Sequence, residues 1–326
     1  MGGSVEKKLM EIRGLSVSFR IGGQYFAAVD DLDLDIPEGE TLAVMGESGC
    51  GKSSLAHSII GLHDPSRTRV EGYIGYRGQN LLTLCEAELN KIRGGHIGMV
   101  FQDPASALNP LMRIGEQIAE PLMYHTSLTK TEREGRAAQL LRDVDMPRPE
   151  QTYWQYPHEL SGGMCQRAVI ASALVCRPAL LIADEPTTAL DVTVQARILE
   201  LLRDIDASIL LITHDPGVVA ETADRVAVMY AGQIVETAPC AEIFANPLHP
   251  YTRSLLSAMP RGQDRLYVIP GAVPSLENMP RTGCRFGRRI ARMPEDCHDD
   301  APALREVSPG HYVRCSCHAV FELCHC

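Results

Sequence analysis

The apolar residues of this chain gather in short unbroken runs: LAVMG (Leu42–Gly46), IGMVF (Ile97–Phe101), LLIAD (Leu180–Asp184), ILLIT (Ile209–Thr213) and RVAVMY (Arg225–Tyr230). None alternates apolar with polar positions. Strands buried on both faces have this look, and they belong to parallel sheets covered by helices. Helical periodicity separates the runs, in SSLAHSIIGL after Lys52, in Thr131–Leu141 and in VTVQARILELLRDI from Val192. Strands alternating with helices predict an α/β core. From Asp103 to His158 the pattern is helical, carries Pro104, Pro110, Pro121, Pro147, Pro149 and Pro157, and holds no buried-strand run. It predicts a helical insertion between core strands. After about Pro260 the chain turns Pro-rich and loop-like (IPGAVPSLENMP) and then cysteine-rich, which predicts a small appended domain.

Length and composition narrow the class. The chain has 326 residues, enough for two domains or for one with an appendage. With 45% hydrophobic and 22% charged residues it is ordinary for a soluble globular protein. The longest apolar stretch, Ala168–Cys176, is flanked by Arg167 and Arg177 and falls far short of the roughly 18 residues of a membrane helix. MGGSVEKKLM at the start has no apolar core like that of a secretion signal, so the expectation is a cytosolic protein that can dock on a membrane protein. A net charge of −10 argues against general nucleic-acid binding. Eleven cysteines in a cytosolic chain point to core thiols, metal ligands or cluster ligands and not to a disulfide framework.

Three stretches carry chemistry. GESGCGKS (Gly46, Glu47, Ser48, Gly49, Cys50, Gly51, Lys52, Ser53) fits G-x-x-x-x-G-K-S/T. Its glycines let successive N–H groups turn inward around phosphate oxygens, Lys52 reaches the outer phosphates, and the Ser53 hydroxyl can ligate Mg2+. The helix opening at Ser53 and Ser54 points its positive end at the same anion. LLIADEP puts Asp184 beside the metal and Glu185 beside the terminal phosphate, where a carboxylate can orient and deprotonate water. In ELSGGMCQR, Ser161 is a good N-cap, and Gly162 and Gly163 leave N–H groups exposed at a helix start, a second anion site. Alone, each has a plain structural reading: a glycine-rich turn, a strand running into a solvated turn, a helix cap. One nucleotide loop with a separate phosphate-binding helix start suggests a dimer that shares nucleotides.

In this order and spacing, with Gln102 in FQDP, Asp191 in TALD and His214 in LLITHD, the chain resembles an ABC-transporter ATPase over roughly residues 8–260. The resemblance implies a RecA-like α/β nucleotide-binding domain with a helical subdomain at about 103–168. It implies that Gln102 senses the γ-phosphate and Mg2+, and that His214 contacts the γ-phosphate. Asp191 would couple two composite sites, and Ser161, Gly162 and Gly163 would bind the ATP held by the opposite subunit. An aromatic upstream of the loop would stack on adenine. Phe19 is the candidate and Tyr25 the second, with a core aromatic as the alternative for either. No sustained heptads lie between the loop and the Ser161 motif, unlike clamp-type ATPases of DNA repair. Intact Glu185 and His214 argue against a weakly hydrolysing regulatory partner.

NPLHPYTRSLLSAMPR (Asn246–Arg261) and IPGAVPSLENMPRTGCRF resemble the dipeptide/oligopeptide importer ATPases, a group that includes nickel systems. That resemblance reaches about residue 315 and implies a Cys-rich C-terminal domain at 261–326. It also implies a second, paralogous ATPase subunit, two transmembrane permease subunits and an extracytoplasmic solute-binding protein. The chain would then lie on the cytoplasmic face of the membrane and power peptide import, with nickel or metallophore import as the alternative. Some members hold a 4Fe–4S cluster on four terminal cysteines. Cys284, Cys297 and Cys315 match three of those positions, and the fourth falls on Ile290, which cannot ligate iron. Cys317, Cys324 or Cys326 could substitute, and His298, His318 and His325 add zinc ligands. An iron–sulfur site completed by Cys317, a zinc site and no metal all stay open.

Overall fold

The computed structural model describes residues 8–188, 190–258, 269, 271–280, 282–289 and 302–315. The chain runs β1 (Lys8–Ile21), β2 (Gln24–Pro37), β3 (Thr41–Met45), α1 (Lys52–Ile59), β4 (Thr68–Tyr76), β5 (Gln79–Asn80), α2 (Glu86–Ile92) and β6 (Ile97–Val100). Next come α3 (Pro104–Ala107), α4 (Ile114–His125), α5 (Lys130–Asp143), α6 (Pro149–Thr152), α7 (Gly162–Leu174) and β7 (Leu180–Asp184). The remainder is α8 (Val192–Arg203), β8 (Ser208–Thr213), α9 (Pro216–Thr222), β9 (Arg225–Tyr230), β10 (Gln233–Pro239), α10 (Cys240–Ala245), α11 (Pro250–Ser257), β11 (Arg305–Ser308) and β12 (His311–Val313). By its contacts the chain divides into two units, each described by itself.

The first unit spans Pro37–Glu40 and Thr83–Ile212, with Leu9 and its described neighbour. Its strands β6, β7 and β8 are parallel, in register Ile97 to Leu180 and Leu180 to Ser208. Every residue of the three is buried, as unbroken apolar runs require. Parallel neighbours need long crossovers, and here they hold α3–α7 and α8. α7 is buried over nearly its whole length, from Cys165 to Leu174, and packs on α3, α4 and α5. α4 offers it Ile114, Ile118 and Leu122, a stripe at helical spacing. α5 starts on a reciprocal cap, in which the Thr129 hydroxyl accepts the Glu132 N–H and the Glu132 carboxylate accepts the Thr129 N–H.

The second unit spans Met10–Ile36, Thr41–Leu82 and the described residues from Thr213 onward. One of its sheets pairs β3 with β9 in parallel and then adds β10, β12 and β11 by antiparallel pairing. The other runs in the order β2-β1-β4-β5. β1 buries Met10 and Ile12, then Leu15 and Val17; the change of phase sits at an irregularity between Arg13 and Ser16, where Gly14 has φ +55°. The described residues near the C-terminus belong to this unit. β12 extends the β10 edge, and Arg314 donates to the Ile234 carbonyl.

Candidate active site

The phosphate loop leaves the buried strand β3 and opens α1, all within the second unit. Gly49 and Gly51 have φ of +79° and +110°, a region that L side chains rarely adopt. Close packing adds a second demand for glycine. A Cβ on Gly46 would lie 2.2 Å from the Met229 carbonyl oxygen, and one on Gly51 would lie 2.5 Å from that of Ala28. The loop is pinned by the Gly232 N–H, which donates to the Cys50 carbonyl at 2.8 Å. Gly51 caps α1 with no side-chain hydrogen bond, so the positive helix end receives no acceptor from its own cap. The buried Lys52 ammonium folds back and donates to the carbonyls of Gly46 (2.7 Å) and Glu47 (3.0 Å). Ser53 and Ser54 follow it, half-buried. Burial pushes the Cys50 thiol up, against the pull of Lys52, which keeps it protonated.

Phe19 lies on β1 and meets His63 edge to face, ring centroids 5.6 Å apart. The face of Tyr25 is covered by the Arg69 guanidinium at 3.8 Å. His214, just beyond β8, is exposed.

The remaining motif residues lie in the first unit. Asp184 ends β7 and is buried. Glu185 is buried as well and takes φ +53°, which is costly for a residue with a side chain. Its N–H donates to the Ile212 carbonyl (2.8 Å), and its carboxylate accepts the Thr188 hydroxyl (2.8 Å). Such over-determination holds a strained backbone in place and aims the side chain. Gln102 is exposed in the loop after β6, and the next residue, Asp103, caps α3. Ser161 caps α7 by accepting the Met164 N–H at 3.3 Å. A Cβ on Gly162 would meet nothing within 4 Å, so nothing among the described residues requires glycine there. Gly163 is half-buried beside it. Cys165 is buried, and its thiol donates to the Pro157 carbonyl at 3.7 Å. Asp191 caps α8 through the Val194 N–H.

Of the proposed cluster ligands, Cys284 and Cys315 are described, whereas Cys297 and Cys317 lie outside the described residues, as does Ile290. Among the described residues no three His, Cys, Asp or Glu side chains gather as a metal site.

Two residues that no motif announces touch the phosphate loop. The Glu47 N–H donates to the Tyr251 hydroxyl at 2.9 Å, and Arg289 grips the Glu47 carboxylate. No local pattern marks either as a partner of a loop some 200 residues earlier in the chain.

Comparison with known proteins agrees with these features. A family model described as ABC transporter matches residues 29–188, and one described as oligopeptide/dipeptide transporter, C-terminal region, matches residues 235–297. The oligopeptide transport ATP-binding protein OppD of Lactococcus lactis subsp. cremoris is 47% identical over 324 residues, 97% of this chain and 96% of the relative. The chain belongs to the ABC transporter family, in its oligopeptide/dipeptide branch. The oligopeptide transport ATP-binding protein AppD of Bacillus subtilis is 48% identical, covering 94% of this chain and 96% of the relative. Among solved structures, the ATP-binding cassette MJ0796, a dimer in a post-hydrolysis state bound to ADP and Pi, superposes with a TM-score of 0.65. It is 29% identical and covers 71% of this ABC chain and 98% of its own. Among the described residues, no helix of this family member is long and apolar enough to cross a membrane.

Proposed function

We propose that this chain hydrolyses Mg–ATP and that the hydrolysis drives peptide import through an ABC transporter. The observation that carries the reading is the near full-length likeness to OppD and AppD, on a chain whose Lys52 folds back onto the loop at Gly46. ATP's phosphates enter the loop from Gly46 to Ser54. Lys52 exchanges the Gly46 and Glu47 carbonyls for the outer phosphate oxygens. Ser53, Gln102 and Asp184 supply a hydroxyl, an amide oxygen and a carboxylate, hard oxygen donors that suit Mg2+. Those three residues would hold the ion, which would offset negative charge on the phosphates. Glu185 accepts a proton from the attacking water as the new oxygen–phosphorus bond forms. The bond to the β-phosphate bridging oxygen breaks, leaving ADP and phosphate. His214 contacts the γ-phosphate, and Phe19 stacks on adenine. Ser161, Gly162 and Gly163 close on the nucleotide of a second ATPase subunit, with Asp191 coupling the two sites.

The rest of the assembly belongs to the same reading. Residues 8–260 serve as the nucleotide-binding domain and 261–326 as its C-terminal extension, at the cytoplasmic face of the membrane. The exposed apolar side chains Leu111, Met123, Tyr124 and Trp154 offer a contact for two permease subunits. A solute-binding protein delivers the peptide. Of the proposed cluster ligands, Cys284 and Cys315 lie within the described residues, and no step of this reading runs through a cluster.

The test reconstitutes the chain with its paralogous subunit, permeases and binding protein, and follows ATP hydrolysis against added peptide. Peptide stimulation that disappears in Glu185→Gln, with ATP still bound, is expected. Stimulation by nickel and not by peptide would keep the ATPase and replace the cargo. Hydrolysis undiminished in Glu185→Gln would remove that residue as the base.

A further inference from the structure

Glu47, the second residue of the phosphate loop, is held on three sides. Its carboxylate receives both arms of the Arg289 guanidinium, Nη1 to Oε2 at 2.6 Å and Nη2 to Oε1 at 3.1 Å. This is the planar fork in which arginine binds carboxylate most specifically. Its N–H donates to the Tyr251 hydroxyl at 2.9 Å. Its carbonyl receives Lys52, the residue that must meet the phosphates. One residue of the loop therefore joins the phosphate-binding lysine to two side chains from the C-terminal region.

Those two side chains are fixed. The Arg289 side chain is only 6% exposed, sits 5.7 Å from the Tyr230 ring centroid and also donates to the Gly271 carbonyl. Phe286, three residues earlier, is 1% exposed and packs edge-on against Tyr230 and Tyr251. Tyr251 is fully buried at the start of α11, where its N–H donates to His249 Nδ1 at 3.0 Å. The His249 N–H in turn donates to Glu236, a buried carboxylate that also accepts the Leu248 N–H and pairs with His311. Glu236, His249, Tyr251, Phe286 and Arg289 all fall in the stretch matched by the C-terminal-region model.

We propose that Arg289 is a positioning residue for ATP: through Glu47 it holds the phosphate loop in its receptive shape, and it neutralises a carboxylate that would otherwise face the incoming phosphates. The proposal rests on the ATPase reading. Without Arg289, two costs fall on ATP binding and not on the chemical step. The loop must be ordered by the nucleotide, and Glu47 stands unneutralised beside a polyanion.

The experiment measures KM for Mg–ATP and kcat in the complete transporter for the parent, Arg289→Ala, Arg289→Lys, Glu47→Ala and the double variant Arg289→Ala/Glu47→Ala. Thermal unfolding of each chain is recorded alongside. Arg289→Ala should raise KM about tenfold with kcat little changed, the loss expected for a charged hydrogen-bond pair. Arg289→Lys should recover part of the loss, since it restores the charge without the fork. Glu47→Ala should be milder than Arg289→Ala, and adding Arg289→Ala to it should do little more. If KM is unchanged in Arg289→Ala, or if the two single effects simply add, the proposal is wrong. A lowered unfolding temperature with KM unchanged would leave Arg289 a purely structural residue and would also overturn it. A parent complex that hydrolyses no ATP would instead refute the ATPase reading.

Discussion

Acidification should loosen the second unit through His249, by an amount that can be worked out. Its imidazole is buried, and burial pulls its pKa from 6.5 down to about 3, against a hydrogen bond with the Arg314 backbone that favours the charged form. Geometry agrees, because Nδ1 must be unprotonated to accept the Tyr251 N–H. Glu236 and His311 are the other ionisable groups of this cluster, and Glu236 binds the His249 N–H. With the folded value below the unfolded one, the unfolded chain binds the extra proton. Stability is then full above about pH 6.5 and falls as the pH drops towards 3. Between about pH 7.5 and about pH 5.5 the loss from this one group is about 1.4 kcal/mol. His249→Asn keeps an N-cap acceptor for α11 and removes the titration. Urea unfolding of both chains at the two pH values measures the difference. The parent should lose about 1.4 kcal/mol more than His249→Asn. Equal losses would mean that His249 is protonated as readily in the folded chain as in the unfolded one, and that its burial has been misjudged.

Two further outcomes follow from the site. Gly51→Ala must move either the loop or Ala28, so both stability and nucleotide binding should fall, whereas Gly162→Ala meets open space and should leave the free energy of unfolding within about 1 kcal/mol of the parent while hydrolysis drops. A stable, fully active Gly162→Ala protein would mean that no second subunit's nucleotide approaches that helix start. Anaerobic purification followed by iron, acid-labile sulfide and zinc analysis should give well under about four irons and four sulfides per chain, because Ile290 breaks the ligand set. Full loading would show that Cys317, Cys324 or Cys326 has taken the missing place, and Cys→Ser variants would identify which.

The five unbroken apolar runs are β3, β6, β7, β8 and β9 to within a residue at each end. Burial on both faces leaves no other composition for such strands, so local sequence is enough. β1 and β2 are absent from that reading for a physical reason. β1 alternates but changes phase once, at Gly14, and β2 alternates only from Asp31, a residue with φ +49°, while its first half does not. An inserted residue turns every later side chain to the opposite face, so no single period-two window spans the strand. β11 and β12, four and three residues long, carry too little pattern to register. The motif residues were legible because phosphate chemistry dictates residue type at fixed spacing. Tyr251 and Arg289 were not, because they reach Glu47 across 204 and 242 positions and only the fold brings them there.

Arg289 also changes how Ile290 should be understood. The two are neighbours, and the resemblance that expects a cysteine at position 290 made the whole segment look like a metal site that has lost a ligand. Yet the described part of the segment is also held by contacts that need no metal. Phe286 is buried among aromatic rings, and Arg285 donates to the Ala231 carbonyl and pairs with Asp30. Arg289 is then fixed by Glu47 and Gly271. Each of these contacts is made by Arg285, Phe286 or Arg289, which lie between Cys284 and position 290. Selection on this stretch can therefore act through the phosphate loop even where a cluster ligand is gone. Removing Arg289 should harm ATP binding in a chain that carries no iron, whereas restoring cysteine at 290 should change metal content and leave KM for ATP as it was.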